Sequence, residues 1–309
     1  QHLDLPLPSD QKLVTLRQAS ASGHLKKRLN MSQRGIIALF DQMFELHPGF
    51  RPAIHARGVM LTGSFTPTPD AAALSAAPHF HQASTPVTAR FSSSTGLPLI
   101  PDNDPNANPR GVRSRFNLAE HKHTDIIGIP PHISAHDGRG FLEFMRASAE
   151  GSVADFLVSH PAAKTFVETP KPFSTIFANE AYYALHAFKF TSRTGETRYG
   201  RYSIVPSAGA QYLDQARIAR GPISFEILLQ VAQDGDNVDD TTVAWPADRQ
   251  KIVLGIFSLD TLVPDNAVAQ KQIIFDPIPR IQGIDESDDP LFEFRAALYL
   301  IIGRRRRAA

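Results

Sequence analysis

Two short stretches of this sequence carry side chains whose types and spacing could do chemistry. Arg51 and His55 stand at the start of an apolar run, and a histidine at the mouth of a strand could move protons beside a bound anion. Arg295 and Tyr299 are four residues apart and therefore share one face of a helix. A guanidinium beside a phenol lowers the pKa of the phenol, because the positive charge favours the phenolate. Taken singly, His55 is more often a structural histidine, and the Arg295–Tyr299 pair is more often a surface contact.

The composition limits the kinds of chemistry that the chain can support. Its 309 residues are 42% hydrophobic and 20% charged, which is typical of a globular protein. The formal net charge of +1 gives no general electrostatic reason to bind nucleic acid or an anionic membrane. The chain has no cysteine, which excludes disulfides, a thiolate nucleophile and cysteine-ligated zinc, iron–sulfur or haem sites. Any metal centre must therefore use histidine, tyrosine or carboxylate ligands.

The common catalytic motifs are missing. GxGxxG, the P-loop, HExxH, GxSxG and the EF-hand loop do not occur. The pairs His79/His81 and His121/His123 could bind a metal, but such pairs are more often surface histidines. No apolar stretch approaches the ~20 residues of a membrane span, so we expect a soluble protein located in the cytoplasm. The chain begins at Gln1 and not at methionine, which leaves a periplasmic or secreted location open.

The elements that must position these residues form one domain over 1–309. Residues 1–50 are predicted to be a helical N-terminal extension with a helix at 33–46, and a C-terminal helix over 290–307 carries Tyr299. Further helices are predicted from 141 and over 152–169. Eight segments have the period-two, β-branched pattern of strands: 54–66, 86–94, 111–118, 124–129, 185–191, 198–205, 223–233 and 252–262. A short loop at 192–196 and long proline-rich connections predict an α+β fold, with an antiparallel β-barrel of about eight strands and surrounding helices.

The stretches around His55 and Tyr299 have a common interpretation. The sequence resembles the catalase superfamily and, within it, the short catalase-related haem peroxidases. The resemblance runs from about residue 35 to residue 307. It rests on five stretches that follow the family's order and spacing: HARGVMLTGSF at 55–65, VTARFSSSTG at 87–96, NPRGVRSRFNL at 108–118, LHAFKF and TRYGRY within 185–202, and DPLFEFRAALY at 289–299.

The resemblance implies a haem b cofactor and a set of residues on one side of it. Tyr299 matches the family's tyrosine, whose phenolate binds the haem iron. Arg295 matches the arginine that keeps this phenolate ionised. His186 and Asp289 match a histidine on a strand and an aspartate that support this arginine.

On the other side of the haem, His55 matches the acid/base histidine, and Ser92 matches the serine that hydrogen-bonds the histidine ring. Three arginines resemble those that hold the haem propionates: Arg51, Arg90 and Arg306. Guanidinium groups suit this role, because they pair with carboxylates through two parallel hydrogen bonds.

Three departures from the family pattern bear on the activity. Catalases place an asparagine just after the strand matching 124–128, whereas this chain reads Gly128-Ile129-Pro130-Pro131-His132, which implies weak or no catalase activity. Arg51 and His55 are four residues apart, where the family spacing is two or three. The length leaves no room for the extra domains of large catalases, so bulky peroxides should reach the haem.

The resemblance therefore implies a haem peroxidase that reduces organic or lipid hydroperoxides with an external electron donor. The expected partners are these small molecules, with no nucleic acid and no integral membrane association, and a homodimer is left open. Three alternatives stay open. The chain could rearrange fatty-acid hydroperoxides without a reductant, as allene oxide synthases do. It could bind or sense haem without catalysis, or it could be a barrel without a cofactor.

Overall fold

The structure is a computed structural model. It describes residues 55–101, 104, 107–129, 138–168, 176–209 and 222–308, together with Gly35, Ala38 and Asp41. The helix expected at 33–46 lies largely outside the described residues, although these three positions within it are helical. Arg51 also lies outside them.

Ten antiparallel strands form a single sheet. All eight predicted strands are present, and β5 and β10 are two further short strands. The strands are β1 (Gly58–Pro67), β2 (Thr85–Ser93), β3 (Arg110–Asn117), β4 (His123–Gly128), β5 (Tyr182–Tyr183), β6 (Phe188–Thr191), β7 (Thr197–Pro206), β8 (Ile223–Val231), β9 (Lys251–Leu262) and β10 (Ile284–Glu286).

The sheet curls into a half-barrel. Its order is β10-β6-β7-β8-β9-β1-β2-β3-β4, and β5 pairs with β7 away from this path. The curl brings the far ends together, because Ile129, just after β4, forms an antiparallel bridge with Tyr183 of β5. The Ile129 amide donates to the Tyr183 carbonyl at 3.0 Å, and the Tyr183 amide donates back at 2.8 Å. The predicted α+β fold with a curled antiparallel sheet is confirmed.

Aromatic side chains fill the inside of the curled sheet. Successive residues of a strand point to opposite faces, so every second residue of each strand points inward. Phe65 and Phe116 meet edge to face with ring centroids 5.1 Å apart, and Phe225 stacks on Phe257 at 5.1 Å. All four rings are fully buried.

Six α-helices lie in the described residues, and they are α1 (Pro69–Leu74), α2 (Gly138–Glu150), α3 (Val153–Ser159), α4 (Pro161–Glu168), α5 (Asn266–Gln272) and α6 (Leu291–Ala308). The predicted C-terminal helix is confirmed as α6, which begins where the Asp289 carboxylate accepts the Leu291 amide at 2.8 Å. Short 3-10 turns cover Pro78–Phe80, Ala119–His121 and Phe177–Asn179. In the part of the chain that the structure describes, no helix is both long and apolar enough to cross a membrane.

An ion pair on the outside of the sheet fixes the segment that leads into α6. Arg115 of β3 donates twice to Asp125 of β4, at 2.9 Å each. The same two side chains hold the connecting segment, because Arg115 donates to the Ile274 carbonyl and Asp125 accepts the Asp276 amide. This anchoring places α6 against the outer face of the first strands.

Candidate active site

The site lies on the outer face of β1, β2 and β3. In the strand register, Gly58, Ser92 and Gly111 lie side by side across the three strands, and Arg90 and Arg113 lie side by side in the next row. A Cβ atom at Gly58 would stand 2.6 Å from Arg90 Nη2, so the arginine can lie there only over a glycine. A Cβ atom at Gly111 would meet the His55 ring at 3.5 Å. Gly58 therefore makes room for the Arg90 guanidinium, and Gly111 places no side chain against the His55 ring.

His55 lies just before β1 with an unusual backbone. Its φ of 58° is in the left-handed region, which is costly for a residue other than glycine. Arg90 holds this conformation by donating from Nη2 to the His55 carbonyl at 2.8 Å, while its Nε donates to Gln270 at 2.8 Å. Ser92 Oγ lies 3.1 Å from His55 Nδ1. The structure thus brings together three of the residues that the sequence singles out: His55, Ser92 and Arg90.

The surroundings of His55 keep its ring neutral. Burial, followed by the positive charges of Arg113 and Arg90, lowers the pKa of His55 well below its usual value. A hydrogen bond with the Ser93 backbone acts in the opposite direction and is outweighed. At neutral pH the ring is therefore uncharged, and a neutral imidazole is able to accept a proton.

Tyr299 lies on α6 between two guanidinium groups. The carbon at the centre of the Arg295 guanidinium is 5.8 Å from the centroid of the Tyr299 ring, and that of Arg113 is 5.4 Å from it. Burial by itself would raise the pKa of Tyr299, but the charges and N–H groups of Arg113 and Arg295 outweigh it and lower the pKa. The phenol consequently ionises more readily than a free tyrosine.

His186 and Asp289 form a buried pair close to Arg295. His186 Nδ1 lies 2.8 Å from Asp289 Oδ2, and the His186 ring stacks on Phe292 with centroids 3.8 Å apart. Burial lowers the pKa of His186 to about 4, in spite of the hydrogen bond to Asp289 that acts to raise it. The family resemblance puts this histidine on a strand, but His186 lies in a bend two residues before β6.

Two arginines at the end of α6, Arg305 and Arg306, contact different partners. Arg306 is directed at the site: its charge acts on His55 and Arg90, and its Nη2 donates to the Ile273 carbonyl at 2.5 Å. Burial, then the charges of Arg113 and Arg307, lowers the pKa of Arg306 to about 10. Arg305 instead pairs with Asp41 through contacts of 2.6 and 2.8 Å.

Arg113 is the site residue that the sequence reasoning missed. It is 7% exposed, and its Nη1 donates to Ser92 Oγ at 2.9 Å. The stretch NPRGVRSRFNL contains it, and strand alternation puts it on the face opposite Val112. Its position opposite Arg90 depends on the register between β2 and β3, which the sequence alone does not fix.

The site carries more positive than negative charge. Four guanidinium groups surround Tyr299 and His55, those of Arg90, Arg113, Arg295 and Arg306. Like charges directly opposite each other on neighbouring strands are unfavourable, yet Arg90 and Arg113 occupy such positions. Among the described residues, buried Arg90 Nη1 and Arg306 Nε have no hydrogen-bond partner. Such a site suits a ligand that carries carboxylates.

Comparison with known sequences gives a consistent result. The profile of the catalase family matches residues 51–221. The chain is 31% identical over 295 residues to a catalase-related peroxidase of Synechococcus elongatus, and the match covers 86% of each protein. It is 30% identical over 277 residues to a catalase-related peroxidase of Mycolicibacterium paratuberculosis, covering 82% of this chain and 87% of that protein.

Solved structures with the same fold are catalases. A fungal catalase superposes with a TM-score of 0.71 at 21% identity, covering 99% of this chain and 64% of its own. A bacterial catalase superposes with a TM-score of 0.70 at 21% identity, covering 87% of this chain and 60% of its own. The chain thus spans less than two thirds of the length of either solved catalase.

Proposed function

Since this chain belongs to the catalase family, we propose that it is a haem-dependent peroxidase whose substrates are organic or lipid hydroperoxides. The observation that carries the proposal is the arrangement of Tyr299 between two guanidinium groups, with the neutral His55 and its partner Ser92 on the strands that face α6. In a chain without cysteine, tyrosine is one of the residue types that can bind iron, and the lowered pKa of Tyr299 favours the anionic form that would do so.

The charges of the residues present suit haem b. The two propionates of haem would supply the carboxylates that buried Arg90 Nη1 and Arg306 Nε lack. Gly111 adds no side chain against the His55 ring, whose Cε1 atom would lie 3.5 Å from a Cβ atom at that position. One side chain limits the fit. Arg113 reaches from Ser92 towards the Tyr299 ring, and it would have to remain on the Ser92 side for haem to lie against Tyr299.

We assign the following roles in cofactor binding to individual residues. Tyr299 would bind the iron, and Arg295 would keep the phenolate ionised, with the buried His186–Asp289 pair behind it. Arg90 and Arg306 would hold the propionates, and Arg51 has the same proposed role from the sequence. When bound, haem supplies the iron that receives the peroxide and the redox capacity to split its O–O bond.

The chain's own part in the reaction is proton transfer. Neutral His55 takes the proton from the hydroperoxide O–H group and returns it to the other oxygen as the O–O bond breaks. In the complete cycle the hydroperoxide gains two electrons and two protons and becomes an alcohol and water. An external reductant supplies the electrons. Ser92 orients the His55 ring, and Arg90 fixes its backbone, so that both keep the proton acceptor in place.

We also propose that catalase activity is weak. After β4 the sequence has no asparagine, and Ile129 is committed to the bridge with Tyr183. An amide at this point would have held the second oxygen of hydrogen peroxide. We therefore expect faster turnover of cumene hydroperoxide with an electron donor than oxygen release from hydrogen peroxide. Oxygen release at the higher rate would contradict this substrate assignment.

The test of the proton-transfer step is His55→Ala. We expect the variant to retain haem, as judged by its Soret band, and to cleave cumene hydroperoxide about 10²- to 10⁴-fold more slowly in stopped flow. The matched control is His121→Ala, because exposed His121 has the same left-handed backbone, with a φ of 61° against 58° at His55.

The two variants together separate chemistry from backbone strain. An unchanged cleavage rate in His55→Ala would remove His55 from the mechanism, and an equal loss in both variants would show only strain. Product analysis of a fatty-acid hydroperoxide without an electron donor tests the reaction class. Without a donor a peroxidase can form at most one equivalent of alcohol per haem, so continued turnover to an epoxide would favour a rearranging enzyme.

A further inference from the structure

Arg113 enters the cofactor assignments above only through its contact with Tyr299, although it is buried at the centre of the site. It lies directly opposite Arg90 across the β2/β3 pair and is 7% exposed. A guanidinium carries five N–H groups, and Nη1 donates to Ser92 Oγ at 2.9 Å. Keeping a third charged arginine beside Arg90 and Arg306 is unfavourable unless negative charge arrives there.

The contacts of Arg113 connect it to the proton acceptor. Ser92 Oγ touches Arg113 Nη1 on one side and His55 Nδ1 at 3.1 Å on the other. One hydroxyl oxygen therefore separates the guanidinium from the imidazole. Arg113 also hydrogen-bonds Tyr299. With iron bound to the Tyr299 oxygen, Ser92 would be the hydrogen-bonded partner left to Arg113, and this contact would keep the guanidinium on the His55 side of the site.

We propose that Arg113 is a catalytic residue for peroxide cleavage, whose guanidinium donates to the oxygen that leaves as the O–O bond breaks. This inference rests on the proposed function. In the step, the leaving oxygen of the hydroperoxide takes the bonding electron pair, and His55 delivers the proton that turns it into an alcohol. Arg113 stabilises the negative charge that develops on this oxygen before the proton arrives.

The proposal also explains how the site works without the amide of catalases. An amide is a neutral donor, whereas a guanidinium offers positive charge as well as N–H groups, which favours a strongly basic leaving oxygen. When the O–O bond of an alkyl hydroperoxide breaks, the leaving group is an alkoxide, which is strongly basic. When the O–O bond of a peroxyacid breaks, the leaving group is a carboxylate, which needs little stabilisation. Arg113 thus predicts a preference for alkyl hydroperoxides as the substrate class.

The first measurement is the affinity of the ferric, haem-loaded protein for fluoride, with binding monitored through the absorption spectrum. Fluoride binds the iron as an anion and accepts hydrogen bonds from donors on the His55 side. We expect Arg113→Met to weaken fluoride binding roughly 10- to 100-fold, as the loss of a charge-assisted hydrogen bond would. The fluoride affinity of Arg113→Lys should lie between those of the wild type and Arg113→Met. The control is Arg198→Met, which removes an exposed guanidinium that pairs with Glu196 at 2.9 Å.

The second measurement is the dependence of cleavage on the leaving group. We expect Arg113→Met to slow cleavage of cumene hydroperoxide about 10²- to 10³-fold, the usual cost of removing one donor to a developing oxyanion. Cleavage of 3-chloroperoxybenzoic acid should slow much less. Equal losses for the two peroxides, or an unchanged fluoride affinity, would overturn the assignment.

Haem retention distinguishes the remaining outcomes. If Arg113→Met does not fold or does not retain haem, Arg113→Gln is measured by the same two criteria. Weakened haem retention with unchanged fluoride affinity in the variants would make Arg113 a cofactor-binding residue and would overturn the proposal. A wild-type protein without a Soret band, or without peroxide cleavage, would instead overturn the proposed function itself.

Discussion

The two faces of the first three strands differ sharply. Their inner face carries Phe65, Phe91 and Phe116, all buried, and these rings contact other rings of the barrel. Their outer face carries Arg90 and Arg113, which are also buried but lie opposite each other with like charge. The inner face therefore buries mainly apolar rings. The outer face gathers like charges and holds the buried Arg90 Nη1 without a hydrogen-bond partner, which is why we propose the outer face as the functional one.

The magnitudes of the two kinds of contact support this distinction. Burying an aromatic side chain stabilises the fold by about 2–3 kcal/mol, with no requirement for a partner of opposite charge. Burying a guanidinium without hydrogen bonds costs several kcal/mol. The outer face offsets part of this cost internally, since Arg90 donates to Gln270 and to the His55 carbonyl. The remaining part is left for the ligand.

Neighbouring residues of β2 allow the sharpest test of the comparison. Phe91 points inward against Phe225, with centroids 5.9 Å apart, and Ser92 points outward to His55 and Arg113. We expect Phe91→Ala to lower the free energy of unfolding by about 3–5 kcal/mol, because it opens a cavity in the core. We expect Ser92→Ala to lower it by about 1–2 kcal/mol, the cost of its hydrogen bonds.

For activity, the order of the two variants should be the opposite, with the larger effect in Ser92→Ala. Per folded molecule, Phe91→Ala should leave the rate of peroxide cleavage close to that of the wild type. Ser92→Ala should slow it, because the His55 ring loses its partner. Guanidinium unfolding curves and stopped-flow rates measure the two quantities. If Phe91→Ala slowed cleavage more than Ser92→Ala did, the two faces would not have separate roles.

A buried histidine on the inner side gives an effect on stability that depends on pH. His79 packs against Phe80 and Phe116, with centroids 4.2 and 5.2 Å away, and burial lowers its pKa to about 3. The unfolded chain binds a proton at pH values below about 6.5, whereas the folded chain does so only near pH 3. Folding stability from this residue is therefore fully present above pH 6.5 and is lost as the pH falls towards 3.

His79→Phe removes this source of acid sensitivity. Between pH 6.5 and pH 4, the stability of the wild type should fall by about 1.4 kcal/mol per pH unit more than that of the variant. Denaturant unfolding at pH 7, 6 and 5 measures the slope, and His121→Ala is a surface control. Parallel slopes for wild type and His79→Phe would show that His79 is protonated in the folded protein.

Much of the fold could be predicted because it follows from local patterns. The eight predicted strands alternate apolar and polar residues, and α6 was expected from the Asp-Pro start and from the helical pattern that follows it. The strands β5 and β10 have only two and three residues, too few for a periodic pattern. Their pairing depends on the curl of the sheet, which is a tertiary effect.

The site could be predicted in part. His55, Ser92, Arg295 and Tyr299 lie within recognisable stretches, and the structure brings each close to the partner expected for it. Arg113 lies in one of the same stretches, but its role depends on facing Arg90 across two strands. No pattern within a single strand determines the register between β2 and β3 that puts Arg113 opposite Arg90. The roles of all these residues in binding haem and peroxide remain proposals.

The central claim is that Tyr299, held between Arg113 and Arg295, binds haem iron on the outer face. The most direct test is the absorption spectrum of the purified protein after addition of ferric haem. We expect a Soret band for the wild type and for the control Tyr199→Phe, and a lost or strongly altered band for Tyr299→Phe. A wild-type protein with no Soret band, or a Tyr299→Phe variant with the wild-type spectrum, would contradict the account.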